Sequence, residues 1–158
     1  MQITIKSARL LDGQVVDLVL ENGVISNIGN DLKFGTIVDA GSHLIIPGLV
    51  DLHTHLREPG REDSETVATG SMAAAKGGYT AISAMANTSP VADTAGVVEQ
   101  VFRLGQEAGF CDVFPIGAVT QGLNGKNLAE LGAMANSSAK VRIFSDDGKC
   151  VSDALLMR

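Results

Sequence analysis

Two cysteines, Cys111 and Cys150, leave room for at most one disulfide in 158 residues. Each falls in an apolar, strand-like context, so the expectation is a pair of buried free thiols in a reducing cytoplasm. Basic residues are also sparse. Twelve Lys and Arg against eighteen Asp and Glu give a formal net charge of −6, and the twelve are scattered without a stripe. A chain of this charge is repelled by phosphate backbones, which argues against nucleic acid as a partner. Long apolar runs are missing too. The longest, Leu44 to Val50, is broken by Pro47 and Gly48 and falls far short of the ~20 residues that cross a bilayer. Met1 to Leu11 has no basic start, apolar centre or small-residue cleavage site, so no secretory leader is read there. The eighteen glycines form neither a G-x-x-x-x-G-K-[ST] nor a G-x-G-x-x-G pattern, leaving a phosphate-cradling loop unsupported. Tandem repeats and low-complexity stretches are absent as well.

What is present is an ordinary globular balance, 45% hydrophobic and 19% charged. Residues 1 to 46 read as short antiparallel strands. Ile3 and Ile5, then Val15, Leu18 and Leu20, then Val24, Ile25 and Ile28 come in brief runs, and Asn22-Gly23 predicts a hairpin turn between two of them. Ile37 to Asp39 and His43 to Ile46 add two more, making a small β module to which His43 belongs as an ordinary histidine. From Pro47 the pattern becomes strands alternating with helices, which predicts βα units and a parallel sheet. The expected strands are 46–53, 79–85, 111–119 and 141–144. The expected helices run from about Ser64 to Lys76, stopped by Gly77-Gly78, from Asp93 or Thr94 onward with Val97, Val98, Val101 and Phe102 spaced as one apolar face, over Leu128 to Ala135, and from Ala154. Four βα units fall short of the ~250 residues of a closed (β/α)₈ barrel, so the expectation is the first half of such a barrel, the early part of a longer polypeptide with negligible activity by itself.

Leu49-Val50-Asp51-Leu52-His53-Thr54-His55-Leu56-Arg57 is the most informative segment. Alternate side chains of a strand share a face and successive residues rise ~3.3 Å, so His53 and His55 project the same way and can converge on one metal ion. The apolar run before them predicts a strand buried on both faces, with the histidines at its carboxyl end, where α/β folds place their chemistry. Arg57 looks into the same space for as long as the strand persists, and its guanidinium suits a carboxylate. The residues just past the other strand ends are Asn87 and Thr88, Thr120, and Asp146 and Asp147. Such a set fits metal-assisted hydrolysis, with a carboxylate completing the metal site and Arg57 and Asn87 orienting the substrate. Only one of the adjacent Asp146 and Asp147 can readily face inward, and spacing leaves the choice open. Glu62, Asp63 and Glu65 are expected in the first turn of the first helix, where its dipole favours negative charge.

At His53-Thr54-His55-Leu56-Arg57-Glu58-Pro59-Gly60, and again at Gly70, Gly77-Gly78, Met85-Ala86-Asn87-Thr88-Ser89-Pro90, Gly117 and Phe144-Ser145-Asp146-Asp147-Gly148, the chain resembles the dihydroorotases of the amidohydrolase superfamily. The resemblance is to the bacterial class that carries an aspartate where relatives have a carboxylated lysine. It implies a (β/α)₈ TIM-type barrel joined to a small β-sandwich, with residues 1–46 as part of the sandwich and 47–158 as the first four barrel units. It implies His53, His55 and Asp147 as ligands of one or two zinc ions, and His55, Arg57 and Asn87 as substrate-binding residues. The catalytic aspartate of a late strand and two further histidines are expected beyond Arg158. The implied reaction is reversible hydrolysis of the cyclic amide of dihydroorotate to carbamoyl aspartate in pyrimidine biosynthesis, in the cytoplasm. Two alternatives stay open: a hydantoinase or allantoinase, and an inactive homologue that scaffolds aspartate transcarbamoylase. The implied partners are a small-molecule substrate and, as open alternatives, a second copy of the chain or aspartate transcarbamoylase. The family usually has Pro where this chain has Ala86, which is expected to loosen the loop carrying Asn87.

Overall fold

The structure, a computed structural model, describes residues 1–158 and consists of two compact units, Met1–Pro47 and Gly48–Arg158. In the first unit four strands, β1 (Gln2–Arg9), β2 (Val15–Glu21), β3 (Val24–Gly29) and β4 (Thr36–Asp39), form one sheet in the order β3-β2-β1-β4. β2 and β3 are joined by the Asn-Gly pair, with φ of 52° at Asn22 and 80° at Gly23. Two successive positive φ values are those of the type I′ turn whose twist matches the flanking strands.

The sheet is not wholly antiparallel, because β4 runs parallel to β1. Side chains rather than periodicity secure that crossover. The buried Thr4 hydroxyl donates to the Phe34 carbonyl at 2.7 Å and accepts from the Phe34 N–H at 2.9 Å. Asp17 accepts from Lys6 Nζ at 2.5 Å and from the backbone N–H groups of Ser7 and Leu32 at 2.9 and 3.1 Å. The strand expected at 43–46 is reduced to a single bridge between Arg9 and Leu44. His43 is exposed and its Nδ1 lies 2.5 Å from the Ala40 carbonyl.

The second unit is α/β. β5 (Leu49–Thr54), β6 (Tyr79–Ala84) and β7 (Asp112–Pro115) make a parallel sheet in sequential order, with α1 (Val67–Lys76) and α2 (Ala95–Ala108) as its crossovers. α3 (Leu131–Asn136) and α4 (Ala154–Met157) follow. The expected fourth strand survives only as a parallel bridge between Gly117 and Phe144, with hydrogen bonds from Gly117 N–H to the Ile143 carbonyl and from Ser145 N–H to the Gly117 carbonyl. Val141, assigned to that strand by pattern, gives its N–H to the Met134 carbonyl in the preceding helix instead.

Val98 and Val101 on α2 are buried, with Val97 and Phe102 partly so, which is the apolar face read from their spacing. Val101 completes a core in which Leu56, Val67, Ile82, Ala84 and Val113 pack between helix and sheet, and Val98, with Val97 and Phe102, packs into a second cluster with Ala86, Ala118 and Met134. Gly105 lets α2 approach the sheet: a Cβ there would lie 2.6 Å from Cβ of Val113.

α1 begins at Val67 rather than Ser64, because Thr66 and Thr69 form a reciprocal capping box and the Glu58 carboxylate accepts the Val67 N–H at 2.7 Å. No acid lies in its first turn, and Glu62 accepts the Gly60 N–H instead. β5 is not buried on both faces: Val50 and Leu52, alternate residues on one face, are 58% and 64% exposed, because that face borders an open cavity shared with Ala81, Ser83 and Phe114. Cys150 is exposed in a loop, whereas Cys111 is half-buried with its thiol near the Ser71 carbonyl; both are free. No helix is long and apolar enough to cross a membrane.

Candidate metal centre

The site grows from the carboxyl end of β5. The β5–β6 ladder shifts register between Asp51 and Thr54. Thr54 bridges the shift: its hydroxyl donates to the Ser83 carbonyl at 2.9 Å and its carbonyl accepts the Met85 N–H at 2.8 Å. The flanking residues His53 and His55 therefore leave a fixed strand end on one face, with ring centroids 5.2 Å apart and ring planes at 63°. Leu56 points the opposite way into the core, so close to α1 that a Cβ on Gly70 would sit 2.6 Å from its Cδ2.

The strand does not persist to Arg57, which is exposed and has a left-handed backbone with φ of 62°. Its guanidinium forms no ion pair, and the neighbouring Glu58 is committed to the α1 N-terminus. This loop is pinned to the one after β6. Ser89 N–H donates to the Pro59 carbonyl at 2.9 Å, and Gly60, at φ 102°, is pressed so close to the Ser89 carbonyl that any Cβ would clash. The β6 loop carries Asn87. Buried Ala86 precedes it, its carbonyl accepting the Ala92 N–H at 3.0 Å, so the loop is held by hydrogen bonds in the absence of a proline. Asn87 itself reaches across to β5, with Oδ1 2.9 Å from His55 Nδ1.

The adjacent aspartates separate cleanly. Asp146 is buried, and its carboxylate accepts the N–H groups of Val119 and Thr120 at 2.8 and 3.1 Å together with the Thr120 hydroxyl. Thr120, placed at the rim by its strand-end position, is thereby buried as Asp146's partner. Lys149 N–H closes a turn on the Asp146 carbonyl, with Gly148 at φ 79° in its third position, as in a type II turn. Asp147 projects from that turn toward the histidines. Its Oδ2 lies 3.4 Å from His53 Nε2 and 3.5 Å from His55 Nε2, and one ligand atom from each of the three residues falls within a 4.8 Å group.

The donor set fits a metal ion. Contacts of 3.4 and 3.5 Å exceed the 2.7 to 3.2 Å of an N–H···O hydrogen bond. Two ligand atoms each ~2.0 to 2.1 Å from a tetrahedral ion would stand about 3.3 to 3.4 Å apart. Asp147 and both imidazoles are more than a quarter exposed, leaving open space for further ligands or substrate. Sequence reading had no signal for the Asn87–His55 bond or for the partners of Asp146, since both join loops distant in the chain.

Fold and site together define a parallel-sheet α/β protein whose strand ends present two imidazoles and a carboxylate to a common point. The chain belongs to the dihydro-orotase-like family, whose sequence model matches residues 42–158. It is 65% identical over 156 residues to the dihydroorotase of Leifsonia xyli and 62% identical over 156 residues to that of Streptomyces coelicolor, covering 98% of this chain in each case. The chain spans 36% of the length of those two relatives. Among solved structures, the L-hydantoinase (dihydropyrimidinase) of Arthrobacter aurescens superimposes with a TM-score of 0.63 at 23% identity, covering 77% of this chain and 29% of that one, a likeness of fold.

Proposed function

We propose that this chain supplies the early part of a dihydroorotase centre, acting on the cyclic amide of dihydroorotate and, in reverse, on carbamoyl aspartate. The observation that carries the reading is the convergence of His53, His55 and Asp147 on one point at the strand ends, in a chain 62 to 65% identical to proteins named dihydroorotase. His53, His55 and Asp147 would hold the metal, which we take to be zinc because neutral imidazoles and a carboxylate are its usual ligands. When bound, such an ion polarises a carbonyl and makes water more acidic.

The chain's own residues do the rest of what this region can do. Arg57, free of any ion pair, offers two parallel N–H groups to the substrate carboxylate. Asn87 would offer its amide N–H to the same group, and His55, hydrogen-bonded to Asn87, would serve substrate as well as metal. Residues 1–46 are read as part of a small β-sandwich and 47–158 as the first four units of the barrel. The proton-shuttling aspartate is expected outside residues 1–158, in a protein active in the cytoplasm.

The test uses the native polypeptide that carries these residues, loaded with zinc and offered dihydroorotate, carbamoyl aspartate, hydantoin and allantoin. Interconversion of the first two is expected, with about one or two zinc ions per chain by elemental analysis. Turnover confined to hydantoin or allantoin would replace the substrate assignment, and purification without stoichiometric metal would favour a scaffold.

A further inference from the structure

The Asn87–His55 bond links two jobs that the proposed function keeps apart. Asn87 Oδ1 can only accept a hydrogen bond, so His55 Nδ1, 2.9 Å away, must be the donor. A neutral imidazole that carries its proton on Nδ1 has a bare lone pair on Nε2. That lone pair faces Asp147 Oδ2 across 3.5 Å, an arrangement of two acceptors that is favourable only with a cation between them. The opposite tautomer would point a proton at the ligand position and exclude a metal.

We propose that Asn87 is a positioning residue of the metal centre, its side-chain carbonyl holding His55 in the tautomer that can bind metal, while the same bond turns the Asn87 amide N–H groups toward the substrate. This rests on the reading of His53, His55 and Asp147 as metal ligands. The backbone supports it: Ala86 and Ser89 are anchored on either side of the Asn87–Thr88 pair, so the carboxamide is delivered from a fixed loop. Asn87 Nδ2 has no partner in the structure, which leaves both of its protons for an anionic group. One hydrogen bond thus orders a metal ligand and a substrate donor together, and metal and substrate carboxylate would each favour the arrangement the other needs.

Two variants separate the roles. Asn87→Ala removes both the carbonyl and the amide. Asn87→Asp keeps an oxygen to accept the His55 proton and loses the amide N–H groups. In the native polypeptide, zinc affinity is measured by competition with a chromophoric chelator, and the His55 tautomer in the metal-free protein by ¹⁵N NMR of the imidazole above pH 8.

Asn87→Ala is expected to weaken zinc binding by about 10- to 100-fold and to move His55 away from the Nδ1-protonated form. Asn87→Asp is expected to hold zinc within about threefold of wild type while raising KM for the anionic substrate. Wild-type zinc affinity and an unchanged His55 tautomer in Asn87→Ala would overturn the inference, even if its KM rose. Failure of the wild type itself to bind zinc would reject the ligand assignment and the inference with it. Zinc binding with no turnover of dihydroorotate would reject only the substrate, leaving the tautomer result to decide the inference.

Discussion

At the scale of single residues, the sharpest contrast is between neighbours of identical chemistry. Asp146 and Asp147 are indistinguishable by type and lie one position apart, yet one is sealed beneath the loop after β7 and the other faces two imidazoles. Removing the buried carboxylate strands two backbone N–H groups that have no other partner. At about 1 to 3 kcal/mol for each buried group left unsatisfied, Asp146→Ala is expected to destabilise the metal-free protein by about 2 to 6 kcal/mol in urea unfolding. Asp147→Asn removes no hydrogen bond and should shift metal-free stability by less than about 0.5 kcal/mol, while abolishing stoichiometric zinc. Equal stability loss in the two variants would contradict the division of roles drawn here. Arg57 makes a related point: a non-glycine residue held at φ 62° bears a conformational cost of roughly 1 kcal/mol, the kind of strain that collects where a side chain must be aimed.

At the scale of elements, the site is held by the joints between strands and helices more than by the strands themselves. α1 is fastened at its start by the Thr66–Thr69 box and by Glu58, and Glu58 immediately follows Arg57. Capping therefore couples helix formation to the position of the loop that carries Arg57. Thr66→Ala is expected to cost about 1 kcal/mol, read as a lower denaturant midpoint with an unchanged slope. A much smaller loss would mean that Glu58 alone caps the helix. The hairpin between β2 and β3, the α2 face and the helix stop at Gly77-Gly78 were all legible in the chain, because each rests on contacts between residues close in sequence. The late start of α1 was not. It depends on Glu58 folding back from the preceding loop, and no window of propensity contains that.

At the scale of the whole molecule, each unit has its own source of stability. The first relies on Asp17, a buried carboxylate that ties β1, β2 and the crossover to β4. The hydrogen bond from the Lys6 ammonium, followed by that from the Ser7 N–H, holds the Asp17 carboxyl below the usual carboxylate range. A folded pKa below the unfolded one means that this stabilisation is fully present above about pH 4 and is lost as pH falls through the lower folded value. Acid unfolding of the first unit, followed by hydrogen exchange of β1 and β2, should steepen below about pH 4. Asp17→Asn should be less stable at neutral pH and should lose that steepening. The second unit rests on two apolar clusters between sheet and helices, with Val50 and Leu52 exposed on the face of β5 that borders an open cavity.

By itself the sequence determined the alternation of strands and helices after Pro47, the Asn-Gly hairpin, the shared face of His53 and His55, and the resemblance that singled out Asp147. All of these follow from periodicity, local turn chemistry or short motifs, which act over a few residues. Only the tertiary structure decided that β4 pairs parallel to β1, that the fourth strand shrinks to one bridge, that Asp146 turns inward to Thr120, and that Asn87 grips Nδ1 of His55. Each of those joins groups from 26 to 33 residues apart, and a hydrogen bond of that reach is set by where the chain has already packed, not by any pattern along it.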